Sequence, residues 1–105
     1  MNLKKSFNEK CYDILRNVPK GKVTTYKEIA EKLNTKAYRA VGNAMNKNPY
    51  APEVPCHRVI NSNGFVGGFA HGTKNKIEML KKEGIEIDES GYISLKKYLH
   101  KFNKK

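Results

Sequence analysis

The stretch TYKEIAEKLNTKAYRAVGNAMNK, residues 25–47, decides the fold. Thr25 followed three residues later by Glu28 is a capping box, in which a hydroxyl and a carboxylate satisfy free amides of a first helical turn. The pattern predicts a helix from Tyr26 to Leu33. Asn34-Thr35-Lys36 breaks it, and a second helix runs from Ala37 to Lys47 with Val41, Ala44 and Met45 on one side. Two short helices across a three-residue turn form a helix-turn-helix. The same pattern also serves as an ordinary αα-hairpin. Arg39 near the start of the second helix, in a basic chain, favours the DNA-reading version. Around Arg39 the surface is small: Ala40, Gly42 and Ala44. Such residues admit either a close approach to a groove or close packing inside the core. An arginine so placed is also long enough to fill the space an extruded base leaves in a duplex.

Working outward, Phe7, Cys11, Ile14, Leu15 and Val18 recur at helical spacing, with Ser6 as cap and Pro19 as stop, so residues 6–17 read as an amphipathic helix. Cys11 falls on its apolar face. Pro19 to Lys22 is a turn, and Val23-Thr24 reads as a strand end. Residues 46–55 form a loop stiffened by Pro49, Pro52 and Pro55. Val59-Ile60 and Phe65-Val66 flank Asn61-Ser62-Asn63-Gly64, which predicts a β-hairpin wing after the helix-turn-helix. Residues 67–72 are a glycine-rich link without the lysine of a phosphate loop. Thr73 is expected to cap a helix through Lys76, Ile77, Leu80 and Glu83 that ends at Gly84. A second small hairpin is expected at Asp88 to Gly91, and Leu95, Tyr98, Leu99 and Phe102 form a last apolar stripe. The expected class is α+β, mainly helical: a single winged-helix domain over residues 1–105.

The chain has 105 residues, enough for one core. Its net charge of +11 makes nucleic acid the leading partner, because neutralised phosphates release counterions. Part of that excess sits at Lys96, Lys97, Lys101, Lys104 and Lys105, where it also reads as a solvated tail. No signal-peptide pattern or membrane-length apolar run is present, and two cysteines do not make a disulfide framework, so a cytoplasmic monomer is expected. Cys11, Cys56, His57, His71 and His100 lack the spaced pairs of a zinc site, so no metal is expected.

The chemistry centres on Pro55-Cys56-His57-Arg58-Val59-Ile60. Proline fixes its own φ and drives Val54 toward an extended conformation, which keeps Cys56 out of a regular helix. A cysteine becomes a nucleophile when a base or cation raises its thiolate fraction, and His57 is the nearest candidate. On residues alone, Cys56 reads first as a small buried hydrophobe and only second as a nucleophile.

Together, Pro55 to Ile60, Arg39-Ala40-Val41-Gly42-Asn43-Ala44, Asn48-Pro49, Gly67-Gly68-Phe69, and Lys76 with Leu80 to Gly84 closely resemble the O6-alkylguanine-DNA alkyltransferases. The resemblance runs from about Phe7 to Tyr98. It implies that Cys56 is the acceptor thiol, that His57 activates it through a water, and that Glu83 orients His57. It further implies that Asn48 braces the loop and that Tyr26 perturbs the neighbouring phosphate and gives a proton to the departing guanine. Arg39 would replace the flipped base, with Thr25, Tyr38, Ala40, Gly42 and Ser62 near the DNA backbone. Val54, Pro55, Gly68 and Phe69 would shape the substrate loop. The partner implied is double-stranded DNA containing O6-alkylguanine, chiefly O6-methylguanine, and no cofactor is required. Against that resemblance, the amino-terminal domain that many members carry is expected to be absent, Tyr38 stands where a small residue often does, and Phe69 stands where tyrosine is frequent. Two other functions are weighed. One is a non-catalytic lesion sensor that recruits excision repair; such relatives replace the cysteine. The other is a winged-helix transcription regulator, for which the Cys-His pair has no use.

Overall fold

A computed structural model describes residues 6–51, 53–67 and 72–102. The helices are α1 (Phe7–Leu15), α2 (Tyr26–Lys32), α3 (Tyr38–Asn46), α4 (Thr73–Lys82) and the single turn α5 (Leu95–Tyr98). The strands are β1 (Thr24–Thr25) and β2 (Val59–Ile60), with a 3₁₀ turn at Cys56–Arg58 leading into β2.

The helix ends follow from local chemistry. Ser6 Oγ accepts from the Glu9 amide at 3.1 Å, and α1 stops at Leu15, short of the expected residue 17. Thr25 is extended and its Oγ1 accepts from the Glu28 amide at 3.0 Å, one half of the expected capping box. α2 and α4 end alike. After α2, Asn34 takes φ 59, and the amides of Asn34 and Thr35 return to Glu31 O and Ala30 O. After α4, Gly84 takes φ 89, and the amides of Gly84 and Ile85 return to Lys81 O and Leu80 O. Both are Schellman closures, which need a left-handed residue just past the helix. The second leaves Glu83 as the cap residue of α4. Thr73 is not the cap expected for α4: Gly72 precedes the helix at φ 97, and Thr73 is its first residue.

The strands correct a larger expectation. β2 pairs in parallel with β1, Thr24 opposite Val59 and Thr25 opposite Ile60. The expected hairpin is reduced to a closed turn, with Gly64 N donating to Asn61 O and Asn61 N to Phe65 O, both at 2.9 Å. Beyond it the chain bonds instead to residues 91–93. Ile93 N donates to Gly64 O at 2.8 Å, Val66 N donates to Gly91 O at 2.9 Å, and Phe65 bridges Tyr92. At Gly64, with φ 95, a Cβ would lie 2.8 Å from Ile93 O, so only glycine permits this approach. The second hairpin is likewise a turn, held by Asp88 Oδ1 accepting from the Ser90 and Tyr92 amides. The last apolar stripe straightens after Tyr98, and Leu99 bridges Val23.

Two apolar clusters meet across β2. Val59 belongs to the cluster of α1, α2 and α3, with Cys11, Tyr12, Leu15, Ile29, Val41, Ala44 and Cys56. Ile60 belongs to the other, with Val23, Val66, Leu80, Ile85, Ile93 and Tyr98. Successive strand residues face opposite ways, so two residues join both cores. Tyr12, unnoticed in the sequence pattern, ties α1 to α3 by donating its hydroxyl to Ala44 O at 2.9 Å in the interior.

Candidate active site

Local turns set the position of Cys56. Pro55 has φ −83 and ψ 73, and Cys56 N donates to Val54 O at 2.8 Å, an inverse γ-turn. The Val54 carbonyl also accepts from Asn48 Nδ2 at 2.8 Å, while Asn48 Oδ1 accepts from the Tyr50 amide at 2.9 Å. Asn48 therefore spans the proline loop that carries Cys56. Val54 and Pro55 are buried beneath it. Gly68 and Phe69, expected in the substrate loop, lie outside the described residues.

The 3₁₀ turn sends consecutive side chains in different directions and brings His57 and Arg58 to the end of α4. His57 Nε2 lies 2.8 Å from Glu83 Oε2. Arg58 holds the same carboxylate with both arms, Nε to Oε1 at 2.9 Å and a terminal nitrogen to Oε2 at 2.8 Å. Its other terminal nitrogen donates to Val18 O at 2.8 Å. Burial pushes the Glu83 carboxyl up, but hydrogen bonds from Arg58 and His57, with their charges, outweigh it and hold the carboxyl below its ordinary value. Burial lowers the His57 imidazole, the Glu83 contact opposes that, and the Arg58 and Lys76 charges add to the lowering. The imidazole is thus neutral near pH 7 and free to take a proton.

Cys56 is 6% exposed. It does not line the open cleft of about 430 Å³ nearby, whose walls are Tyr26, Lys27, Tyr38, Asn61 and Ser62. Tyr26 connects the two. It lines the cleft, and its phenol is raised by burial and then by the charge of an ionised Cys56. Cys11 is wholly buried in the core and burial pushes its thiol up to about 11, which keeps it protonated and unreactive.

The groove-facing residues divide. Arg39 is exposed and Ala40 and Gly42 are half-buried on α3, while Ser62 is exposed in its turn. A Cβ added at Gly42 would meet nothing within 4 Å. Core packing therefore does not explain this glycine, which in mid-helix costs about 1 kcal/mol relative to alanine. Thr25 is buried, its hydroxyl engaged in capping α2.

Two site residues had no role in the sequence reading. Arg58 was invisible because its partners, Val18 and Glu83, are remote in the chain. Lys76 is fully buried with Nζ 2.6 Å from Val59 O. Its signal was its place four residues before Leu80, on the apolar face of α4. Among the described residues no cluster of His, Cys, Asp or Glu could hold a metal ion, and no helix is long and apolar enough to cross a membrane.

Residues 6–85 match the family described as 6-O-methylguanine DNA methyltransferase, DNA binding domain. A methylated-DNA–protein-cysteine methyltransferase of Saccharolobus islandicus is 44% identical over 96 residues, covering 85% of this chain and 62% of the relative. The chain thus spans less than two thirds of that relative's length. The crystal structure of O6-methylguanine-DNA methyltransferase from Pyrococcus kodakaraensis superposes with a TM-score of 0.70 at 44% identity, covering 77% of this chain and 47% of that one. S. pombe Atl1, in complex with damaged DNA containing O6-carboxymethylguanine, superposes with a TM-score of 0.80 at 34% identity, covering 96% of this chain and 99% of that one.

Proposed function

The chain belongs to the family of 6-O-methylguanine DNA methyltransferase DNA-binding domains, and on that premise we propose that it repairs O6-alkylguanine in duplex DNA by irreversible alkyl transfer to Cys56. The observation that carries this reading is the contact of 2.8 Å between His57 and Glu83 immediately beside Cys56. In this reading Cys56 is the nucleophile, His57 the base and Glu83 the orienting acid, the roles an activated nucleophile requires.

The steps follow from the residues. His57 takes the Cys56 proton through a bridging water, and Glu83 holds the imidazole in place. The thiolate attacks the alkyl carbon; the S–C bond forms, the C–O6 bond breaks, and the electron pair stays with guanine. Tyr26 supplies the proton that makes guanine a better leaving group, and its raised phenol keeps that proton at neutral pH. The thioether product is not readily reversed, so one molecule repairs one lesion. The damaged DNA is the alkyl donor, and no cofactor is needed.

Reaching the lesion requires extruding the nucleotide, at a cost of a few kcal/mol. In this reading α2 and α3 are the helix-turn-helix of a winged-helix domain, with the turn around Ser62 in the wing position. α3 lies in the minor groove, where Ala40 and the open face at Gly42 admit the backbone, and Arg39 enters the stack. Thr25, Tyr26 and Ser62 line the phosphates, and the flipped base approaches Cys56 past Tyr26 and the loop of Val54 and Pro55. The protein acts as a cytoplasmic monomer.

The test is direct. Duplex DNA with one O6-methylguanine is incubated with the protein, and the peptides are mapped by mass. One methyl on Cys56 per repaired lesion is expected. An unmodified Cys56 with the lesion intact defeats the proposal. Tight lesion binding without transfer would instead support a sensor, a reading opposed by the Cys56–His57–Glu83 arrangement.

The pH dependence has a definite sign. His57 must be neutral to accept the proton, and its pKa lies below the ordinary 6.5. The single-turnover rate should therefore fall as pH drops, with a midpoint below 6.5. Rapid-quench rates across pH read this; a His57 midpoint above 6.5 contradicts the assignment.

A further inference from the structure

We propose that Tyr50 is a positioning residue for the reacting sulfur: clasped to α1 by its ring and hydroxyl, it seats the proline loop whose hydrogen bonds hold the Cys56 turn. Tyr50 keeps 37% of its surface exposed, yet Glu9, Tyr12 and Arg16, from α1 and its cap, all hold the side chain. Its hydroxyl donates to Glu9 Oε2 at 2.9 Å. Its ring meets that of Tyr12 edge to face, with centroids 5.6 Å apart and planes at 83°. The Arg16 guanidinium lies over the same ring, 5.4 Å from its centroid. Tyr12 is a fixed wall, because its own hydroxyl is bonded to Ala44 O. Arg16 is steered by Asp13 at 2.8 Å and approaches a second loop residue, Glu53, at 3.9 Å. Each such contact at a surface is small. They act together here, since a swing of the ring breaks all three.

From Tyr50 the path to Cys56 is two backbone hydrogen bonds. Tyr50 O accepts from the Val54 amide at 3.1 Å, and Val54 O accepts from the Cys56 amide at 2.8 Å. The Tyr50 amide also donates to Asn48 Oδ1, and Asn48 Nδ2 returns to Val54 O. Asn48 thus closes the loop on itself, while Tyr50 joins it to the body of the molecule. Prolines stiffen the loop by fixing their own φ, but stiffness does not decide where a loop lies against its neighbours. The clasp on α1 supplies that decision. Tyr50 belongs to neither α2 nor α3 and is not a wall of the cleft beside Tyr26. Its effect therefore falls on the placing of the sulfur, where small displacements are costly, and not on the holding of DNA.

The inference rests on Cys56 being the acceptor, but its first test uses no DNA. Amide hydrogen exchange is followed by NMR in wild type, Tyr50→Ala and Tyr50→Phe. In the alanine variant the Val54 and Cys56 amides should exchange roughly tenfold faster, while the Val41 amide, bonded to Ala37 O within the core of α3, keeps its wild-type rate. Tyr50→Phe keeps the ring and loses the Glu9 bond, so its rates should fall between the two. Unchanged exchange at Val54 and Cys56 overturns the proposal. So does equal acceleration at Val41, which would make Tyr50 a support of the whole fold. Should Tyr50→Ala fail to fold, Glu9→Ala removes only the acceptor of the phenol and should speed the same two amides roughly threefold; an unmoved pair overturns the proposal. The second test reads transfer from a preformed complex with O6-methylguanine duplex. Tyr50→Ala should slow that step roughly tenfold with affinity for the duplex within about twofold of wild type. Loosened amides with an unchanged transfer rate, or a loss confined to affinity, overturn the positioning role. If wild type transfers no methyl at all, the repair reading fails by itself, and the exchange pattern still decides whether Tyr50 holds the Cys56 turn.

Discussion

Replacing Glu83 by glutamine should slow methyl transfer about a hundredfold to a thousandfold, the share commonly supplied by a positioned acid–base group. The amide preserves size but removes the anion that His57 and Arg58 both meet. His57 then loses its orienting partner, and the imidazolium formed on taking the Cys56 proton loses its counter-charge. Arg58 is left facing a dipole. Its side chain is only 16% exposed and that of Glu83 12%, so solvent screens the pair weakly. Removing one member of such a pair costs about 3 kcal/mol. Stability and rate must be read apart: urea unfolding for the first, single-turnover kinetics under fully native conditions for the second. The acid limb gives an independent check. Glu83 has a lowered pKa when folded, so its stabilisation is complete above the unfolded carboxylate value and is lost as pH falls through the folded one. The glutamine variant should lack that part of the acid dependence. A variant that transfers at the wild-type rate removes Glu83 from the mechanism.

Arg39→Ala should lower transfer on duplex substrate about a hundredfold, since a lost wedge worth a few kcal/mol is felt at about 1.4 kcal/mol per tenfold. The same variant should lose no more than about fivefold on a single-stranded oligonucleotide, where no stack needs filling. This contrast separates a wedge from a phosphate contact, which would weaken binding uniformly across sequences. Arg39 is exposed on α3, so folding stability should stay within about 0.5 kcal/mol of wild type. A lysine at this position would keep the charge without the planar group that stacks, so Arg39→Lys should remain impaired on duplex. Equal losses on both substrates rule out the wedge.

Much of the fold was legible because it is written locally. Ser6 and Thr25 cap their helices through side-chain oxygens three residues from the amides they bind. Asn34 and Gly84 stop helices because few residues tolerate positive φ. The strands resisted reading for the opposite reason. Val59 and Ile60 alone show no period, and the hairpin signal at Asn61 to Gly64 gave the turn without its partner. Their pairing with Thr24 and Thr25 spans the middle of the chain, and it prevails because β2 is buried on both faces, where a parallel pair is stable.

At the site, the residues alone marked Cys56 and His57 as neighbours but left the cysteine's role open, and Glu83 entered only through likeness to a family. Chain order did determine the caps, the stop at Gly84 and the proline-held turn that presents Cys56. Only the packed molecule decided that the end of α4 would set Glu83 against His57 and Arg58, and that Lys76 would lie wholly inside. The reason is the range of the forces. A cap or turn is satisfied within a few residues and so is visible in a short string. A buried charge is tolerable only beside partners that folding brings from far along the chain.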